Sequence, residues 1–188
     1  MPEAGQVRDE QRDPQEEALR LAALAQIRQY PDPVLRMQAP EVAEFDADLE
    51  RLAERMKRLM VDAYGLGLAA PQVGILRRLF VFQVDDDEVA ALVNPVIAER
   101  SDETEADEEG CLSIQGVRVP VERNLRVTME ARDEHGEDVR LELEGLPARV
   151  AQHELDHLDG MLILDRTDDE SRRGAMALLR GGPALAEA

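Results

Sequence analysis

The fold of this chain is expected to be organised by one short stretch of sequence, Gln152-His153-Glu154-Leu155-Asp156-His157-Leu158-Asp159-Gly160. On an α-helix, two histidines four residues apart project from one face and can bind a single divalent ion. The glutamate between them would then lie beside a water on that ion, which is the arrangement used in metal-assisted hydrolysis. The same pattern also occurs in helices whose histidines are ordinary core or surface residues. Taken alone, the stretch leaves a metal site and a structural helix both open.

The segments around this stretch predict an α+β fold. Residues 145–158 carry an apolar stripe at helical spacing and Gly160 follows their end, so the histidines are expected on a helix. Upstream, β-branched or alternating segments separated by turn formers predict short, mainly antiparallel strands at residues 79–84, 91–98, 118–121, 125–132 and 139–144, with a hairpin turn at 134–137. We therefore expect small sheets around a central helix that carries His153, Glu154 and His157.

Further helices are predicted on both sides of the strands. Residues 46–64 have the clearest helical pattern, with Asp46 or Asp48 as the cap and Gly65 closing the end. Shorter helices are expected at about 16–28 and at about 168–180. The first 17 residues are too polar to offset the entropy of ordering. The predicted organisation is an acidic, flexible extension at 1–25, a single catalytic domain at 26–167, and a C-terminal helix and tail at 168–188.

The composition excludes several classes of protein. A chain of 188 residues fits one domain, and a net charge of −19 argues against a DNA-binding protein or a general RNA-binding protein, because phosphate binding depends on Lys and Arg. The single cysteine, Cys111, rules out an internal disulfide and fits a reducing compartment. The first residues are neither basic nor apolar, so neither a signal peptide nor a membrane span is expected. These features predict a cytoplasmic protein.

A catalytic metal site needs a third protein ligand in addition to the two histidines. One class of metalloprotease supplies a further histidine six residues after the second one, but this chain has Ile163 there. Another class uses a glutamate on a later helix as the third ligand. Glu170 is the candidate here, but it follows His157 too closely in the chain for its helix to turn back to the metal comfortably. Upstream, Cys111 follows a glycine, and its thiolate would suit a soft divalent metal. A buried structural cysteine is the alternative interpretation.

A third cluster, Gly65-Leu66-Gly67-Leu68-Ala69-Ala70-Pro71-Gln72-Val73-Gly74, is dense in small residues beside a glutamine. Such a segment is typical of a loop whose backbone contacts a ligand. It lacks the arrangement that binds phosphates, and a tight connection between a helix and a strand would explain it equally well.

Together, these clusters resemble the peptide deformylase family. The three family motifs are present in the expected order, as Gly65-Leu66-Gly67-Leu68-Ala69-Ala70-Pro71-Gln72, Glu109-Gly110-Cys111-Leu112-Ser113 and Gln152-His153-Glu154-Leu155-Asp156-His157. Segments 30–36 and 160–166 extend the resemblance, which covers roughly residues 27–167. One departure is Gln115, where the family commonly has proline; its loss is expected to loosen the loop behind the cysteine.

The resemblance implies an enzyme that hydrolyses the N-formyl group of N-formyl-methionyl nascent polypeptides. It implies that Cys111, His153 and His157 bind one divalent metal ion. The family's usual metal is Fe²⁺, and Zn²⁺, Ni²⁺ or Co²⁺ can occupy the same ligands. Glu154 would act as base and then as acid, without binding the metal. The side-chain amide of Gln72 and the backbone N–H of Leu112 would stabilise the oxyanion, and removing one such donor typically costs about 10² to 10³ in rate.

The resemblance also implies a pocket for the methionine side chain. Leu66, Leu146 and Val150 match the family's pocket by position, with Arg149 at its rim, although ordinary core packing would explain the apolar residues as well. The backbone at Gly67 is expected to pair with the extended peptide as an added strand.

The sequence also leaves two rival functions and one additional partner to consider. An endopeptidase shares His153, Glu154 and His157 but has no third ligand at Ile163 and no role for Cys111. A non-enzymatic metal-binding protein would not need Gln72 or Glu154. Family members act on nascent chains, so the ribosome is a further partner to consider, through a small basic face on the last helix made of Arg172, Arg173 and Arg180. A solvated terminal helix is the interpretation we favour.

Overall fold

Residues 13–86 and 88–181 are described by the computed structural model, and within them the chain forms five α-helices and seven β-strands. The helices are α1 (Pro14–Leu24), α2 (Ala47–Asp62), α3 (Leu146–Leu158), α4 (Ile163–Arg166) and α5 (Asp169–Leu179). The strands are β1 (Gly67–Ala69), β2 (Leu79–Gln83), β3 (Val89–Arg100), β4 (Thr104–Cys111), β5 (Ile114–Asn124), β6 (Arg126–Arg132) and β7 (Asp138–Glu144). Two 3₁₀ helices cover Pro33–Arg36 and Ala70–Val73.

The strands form two antiparallel sheets, as the sequence predicts. The larger sheet has the order β1-β2-β3-β6-β7, and β4 pairs with β5 in the smaller one. The larger sheet lies between two helices, because alternate side chains of β2 point to opposite faces. Leu79 and Val81 pack in one core cluster with α2, whereas Phe80 and Phe82 pack in a second cluster with α3. This placement confirms the predicted α+β fold with a central helix that carries the two histidines.

Helix α2 matches the predicted helix. Asp46 is the cap, and its carboxylate accepts hydrogen bonds from the backbone N–H groups of Asp48 and Leu49. The helix ends at Asp62, and Tyr64 takes the left-handed conformation, with φ of 56°. Tyr64 is therefore the left-handed residue at the helix end, and the predicted Gly65 contributes its N–H, which donates to Met60 O over 2.9 Å. A Cβ at Gly65 would lie 2.6 Å from Cδ1 of Leu112, so this glycine also allows close packing against the cysteine loop.

The first helix differs in extent from its prediction at 16–28. It begins at Pro14, where Asp13 accepts a hydrogen bond from Gln15 N, and ends at Leu24. Beyond it, Arg28 N donates to Gln72 O over 2.7 Å, so the chain leaves the helix to join the site. Residues 1–12 of the predicted extension and residues 182–188 of the predicted tail lie outside the described residues. The proposed domain boundaries stay predictions.

Two strands were missed by the sequence analysis, and two others are longer than predicted. Strand β1 has only three residues, and β4 is almost wholly exposed and acidic, so neither shows the apolar pattern of a strand. Strands β3 and β5 extend to 12 and 11 residues. In the described part of the chain, no helix is long and apolar enough to span a membrane.

Candidate metal centre and active site

Helix α3 and the end of β4 bring three candidate metal ligands together. His153 and His157 lie one turn apart on α3, and their Nε2 atoms are 3.2 Å apart. Sγ of Cys111, the last residue of β4, lies 3.3 Å from Nε2 of His157. The three donor atoms lie within 4.8 Å of one another. Among the residues that the structure describes, this is the one such group of histidine, cysteine and acidic side chains, and its convergence favours the metal site over a structural cysteine.

The environment of His157 suits a metal ligand. The side chain is buried, and burial together with the nearby His153 places its pKa well below the ordinary value. A histidine with a lowered pKa stays neutral at cellular pH and keeps a lone pair for coordination. For His153, burial acts to lower the pKa, but Cys111 and Glu109 outweigh it and the pKa is raised. Metal binding at this site would therefore release a proton.

Glu109 orients the first histidine. Its Oε2 lies 3.0 Å from Nδ1 of His153, which leaves Nε2 of the ring facing Cys111 and His157. A carboxylate on the far nitrogen of a metal-binding histidine fixes the ring and raises its basicity. Burial would raise the pKa of Glu109, but the hydrogen bonds from His153 and Arg123 hold it well below the usual range. Glu109 is therefore ionised in its buried position.

A network of charged side chains, all buried except that of Arg166, supports Glu109. Arg123 donates to both carboxylate oxygens of Glu109, at 2.9 and 3.0 Å, and to Asp156 of α3 at 2.6 Å. Arg166 donates to the same aspartate at 2.6 and 3.1 Å. No sequence pattern predicts a role for Arg123 or Arg166, and only the position of Glu109 and Asp156 within the second and third motifs indicated one for those two residues. The network ties β4, β5 and α3 into one rigid support for the metal ligands.

Glu154 points into the site from the same helix. Its side chain is buried, and its Oε2 has no hydrogen-bond partner among the described residues. Burial raises its pKa to about 7, so the carboxyl group can both take up and release a proton near neutral pH. A Cβ on Gly67 would lie 2.3 Å from Oε1 of Glu154. The glycine of the first motif is therefore required for the carboxylate to occupy this position.

Gln72 is held so that its amide nitrogen faces the cysteine. Its Oε1 accepts a hydrogen bond from Ala69 N over 2.8 Å, which leaves Nε2 3.1 Å from Ser113 Oγ and 3.7 Å from Cys111 Sγ. Leu112 follows the cysteine directly, and its carbonyl accepts from Gln29 Nε2 over 2.9 Å. Both residues that the resemblance implies as oxyanion donors thus lie beside the candidate ligands.

The loop behind the cysteine is anchored despite the missing proline. Besides the contact from Gln29, the backbone N–H of Tyr30 donates to Ser113 O over 2.8 Å. Gln115 lies in β5 and lines the cavity in front of the site. The expected loosening at Gln115 stays a prediction.

A cavity of about 530 Å³ opens in front of these side chains. Leu66 and Leu146 are 37% and 44% exposed, whereas Gly67 is buried and Val150 half-buried. All five predicted substrate-binding residues, Leu66, Gly67, Leu146, Arg149 and Val150, line this cavity.

Arg149, which was predicted at the rim of the pocket, has its guanidinium group held by other groups of the protein. Its side chain is buried, and its guanidinium donates to Glu109 Oε1 over 2.9 Å and to the carbonyl groups of Val121 and Glu105 over 2.8 and 2.7 Å. Arg149 thus also belongs to the charge network around Glu109.

The donor set fits one divalent metal ion. A thiolate and two imidazoles are the ligands that soft and borderline divalent metals prefer. Three protein ligands leave a further coordination position for water, as in catalytic sites. The buried carboxylate behind His153 matches the outer support that such ligands normally have.

Comparison with known proteins gives a consistent result. The family model described as polypeptide deformylase matches residues 24–173. A peptide deformylase of Thermotoga neapolitana is 51% identical over 146 residues, covering 78% of this chain and 88% of the relative. One from a Parafrankia species is 46% identical over 154 residues, covering 82% of this chain and 84% of the relative.

Solved structures of similar proteins share the fold. The crystal structure of peptide deformylase from Thermotoga maritima is 48% identical, with a TM-score of 0.73, and the match covers 76% of this chain and 96% of that one. A peptide deformylase from Synechococcus elongatus in complex with actinonin is 37% identical, with a TM-score of 0.78, covering 86% of this chain and 90% of that one.

Proposed function

The chain belongs to the polypeptide deformylase family, and from this premise we propose that it hydrolyses the N-formyl group of N-formyl-methionyl peptides, releasing formate and a free N-terminal methionine. The observation that carries the proposal is the convergence of Cys111, His153 and His157 beside Glu154, at one end of a cavity large enough for a peptide end. An endopeptidase explains this site less well, because it gives no role to Cys111.

Cys111, His153 and His157 would hold one divalent metal ion, and Fe²⁺ is our proposal for the native metal. A bound dication supplies Lewis acidity, which lowers the pKa of a coordinated water from about 15.7 toward neutrality. The soft thiolate of Cys111 favours a soft or borderline ion, so Zn²⁺, Ni²⁺ or Co²⁺ would fit the same ligands. Metal analysis of protein purified without oxygen tests the assignment, with iron near one atom per chain as the expected result.

Glu154 would move the proton. With its pKa raised to about 7 by burial, its carboxylate can accept a proton from the attacking water and return it to the departing amine. Both transfers need the carboxylate to lie beside the reacting groups and not to coordinate the metal. The position of Glu154 supports its proposed role beside the reacting groups. Its Oε1 occupies the space that a Cβ on Gly67 would fill, and Gly67 lies on the strand along which a peptide would bind.

Gln72 and Leu112 would stabilise the charge that develops on the formyl oxygen. The amide of Gln72 is oriented by its bond to Ala69 N, so its N–H donors require little reorganisation as the carbon becomes tetrahedral. The backbone N–H of Leu112 would be the second donor. Fixed donors of this kind stabilise the transition state more than the substrate, which is what raises the rate.

The peptide would lie along the edge of the larger sheet. Strand β1 is the first strand of that sheet and pairs with β2 on one side, and Gly65, Leu66 and Gly67 at its start line the cavity. Main-chain pairing along such an edge binds a peptide with little dependence on its sequence. Leu66, Leu146 and Val150 would contact the methionine side chain, while Arg149 would support the wall through Glu109.

A pair of peptides tests the proposed function. The metal-loaded protein should release formate from formyl-Met-Ala-Ser and leave the unformylated Met-Ala-Ser intact. Incubation with a chelator should abolish formate release, and adding back a divalent metal should restore it. Cleavage within either peptide without formate would instead indicate an endopeptidase.

We propose that the activity is cytoplasmic and close to the ribosome, because its substrate would be the start of a nascent chain. The chain's acidity leaves no reason to propose DNA or membranes as partners. Arg173 and Arg180 are exposed on the last helix and its end, whereas Arg172 lies 3.5 Å from Asp165. We favour a solvated helix over a ribosome-binding one. Co-sedimentation with ribosomes at low salt should be unchanged by Arg173→Glu, and a clear loss would show that the helix docks.

A further inference from the structure

Helix α1 contributes to the wall of the substrate cavity. Arg20 and Leu24 are one turn apart on α1, and both line the cavity together with Tyr64 and Leu66. The family model begins to match at residue 24, so Arg20 lies in a part of the chain that this model does not describe. The helix therefore adds a cationic side chain to the cavity that the family motifs do not predict.

Arg20 lines the cavity from α1, and Tyr64 and Leu66, which line it as well, precede Gly67 at the start of β1. Gly67 is next to Glu154, whereas Tyr64 precedes Gly67 by three residues, a span of at most about 10 Å. A peptide that extends along β1 from its formyl group covers a similar distance over its second and third residues. The second and third residues of a bound peptide, downstream of the methionine, would therefore lie near Tyr64 and Leu66, and these are the positions at which a contact with Arg20 is tested.

The state of Arg20 suits recognition of a carboxylate. Its side chain is 27% exposed, and its Nη1 lies 3.0 Å from Oε1 of Glu17, which is 36% exposed. A guanidinium carries five N–H donors in a planar fork, so one contact with Glu17 leaves donors for a second carboxylate. An ion pair this accessible to water is weak and can exchange its partner.

The charges around the cavity make Arg20 important for the binding of acidic peptides. Asp107 and Glu108 of β4 also line the cavity, and the chain carries a net charge of −19. Arg118 lines it as well, but its Nη2 donates to the carbonyl of Glu108 over 3.1 Å. Because the negative charge of Asp107 and Glu108 would repel acidic peptides, such peptides would bind poorly unless a cation such as Arg20 pairs with them.

We propose that Arg20 is a specificity-determining residue that binds an acidic side chain on the second or third residue of the substrate. The proposal rests on the proposed deformylase function. Because successive side chains of an extended peptide point to opposite sides, only one of these two positions should respond to Arg20.

Four formylated peptides test the proposal: Met-Glu-Ala-Ser and Met-Ala-Glu-Ser, each with its glutamine counterpart. For the native protein, the kcat/KM ratio of the Glu to the Gln peptide should exceed one at one position. Arg20→Glu should lower that ratio by about tenfold through KM, with kcat unchanged, since a pairing charge becomes a repelling one. Arg20→Lys keeps the charge but loses the fork and should give an intermediate ratio.

Arg51→Glu is the matched control. Arg51 also pairs with a carboxylate three residues away on a helix, but it does not line the cavity. An equal shift with Arg51→Glu would assign the effect to overall charge and overturn the proposal, as would an unchanged ratio at both positions with Arg20→Glu. Circular dichroism confirms folding of each variant. Absence of formate from every peptide with the native protein would instead overturn the proposed function itself.

Discussion

The inner and outer ends of the substrate cavity are built differently. At the inner end, Gln72 and Glu154 are buried, and each is positioned by packing or by hydrogen bonds within the protein. At the outer end, Leu66 and Leu146 remain 37% and 44% exposed. The inner end has the rigidity that proton transfer and oxyanion binding need, since small displacements there are costly. The outer end has the openness that a substrate with a variable sequence needs.

The largest effect at the inner end is expected from a substitution of Glu154. Glu154→Gln keeps the shape of the side chain but removes its capacity to accept a proton, so kcat for formate release should fall by about 10³. Metal content should stay near that of the native protein, because Glu154 is not among the proposed ligands. A variant that loses its metal would show that the residue supports binding, and not only proton transfer.

A substitution at Gly67 tests whether the position of the Glu154 carboxyl group is critical for the reaction. Gly67→Ala places a Cβ 2.3 Å from the present position of Glu154 Oε1, so the carboxylate must move. A displacement of about 1 Å can cost about 10² in rate, and we expect a loss of that order in kcat with the metal retained. The matched control is Gly174→Ala on α5, where an added Cβ meets nothing within 4 Å and activity should be unchanged.

Arg123 tests the support of the inner end. Arg123→Met leaves Glu109 and Asp156 buried with fewer partners, and it should lower the free energy of unfolding by about 3 kcal/mol. Because Glu109 orients His153, metal affinity should fall by about 10-fold to 100-fold, measured by competition with a chelator.

A second arginine provides the control for Arg123→Met. Arg140 also contacts two carboxylates, Glu99 and Glu130, but all three side chains are about half exposed or more. Arg140→Met should therefore leave the melting temperature and the metal affinity almost unchanged, because exposed ion pairs contribute little. Equal losses in both variants would contradict the distinction between a buried and a solvated network.

Leu66 tests the outer end, where the smallest effect is expected. Leu66→Ala removes apolar contact from a side chain that is already 37% exposed, so KM for formyl-Met-Ala-Ser should rise by about fivefold with kcat unchanged. Leu178→Ala on α5, exposed and outside the cavity, should leave KM as it is. A fall in kcat with Leu66→Ala would place this residue with the inner end.

Part of the fold was predictable because its patterns are local. The helix that carries His153 and His157 has an apolar stripe and ends before Gly160, and the β2 run has the length and residue types of a buried strand. Strand β4 was missed because its acidic residues carry no alternating pattern. It forms through its backbone pairing with β5, from Thr104 opposite Asn124 to Gly110 opposite Arg118.

Part of the site was equally predictable, since motif residues are recognised by type and spacing. The six proposed catalytic and metal-binding residues, Gln72, Cys111, Leu112, His153, Glu154 and His157, lie together as the resemblance implies, and their individual roles stay predictions. Arg123 was not predictable, because nothing distinguishes one arginine in a charged strand from another until the fold buries it between two carboxylates.

The sequence by itself determined which donors are available: one thiol, two histidines a helical turn apart, and a glutamate between them. Only the tertiary structure decided how these groups behave, because distance, burial and partner charges depend on segments far apart in the chain. Where β1 packs against α3, the missing side chain of Gly67 leaves space for the carboxyl group of Glu154, and burial there raises the pKa of Glu154 to about 7. Packing of α1 against α2 places Arg20, from the first helix, at a cavity whose motifs lie more than 40 residues away.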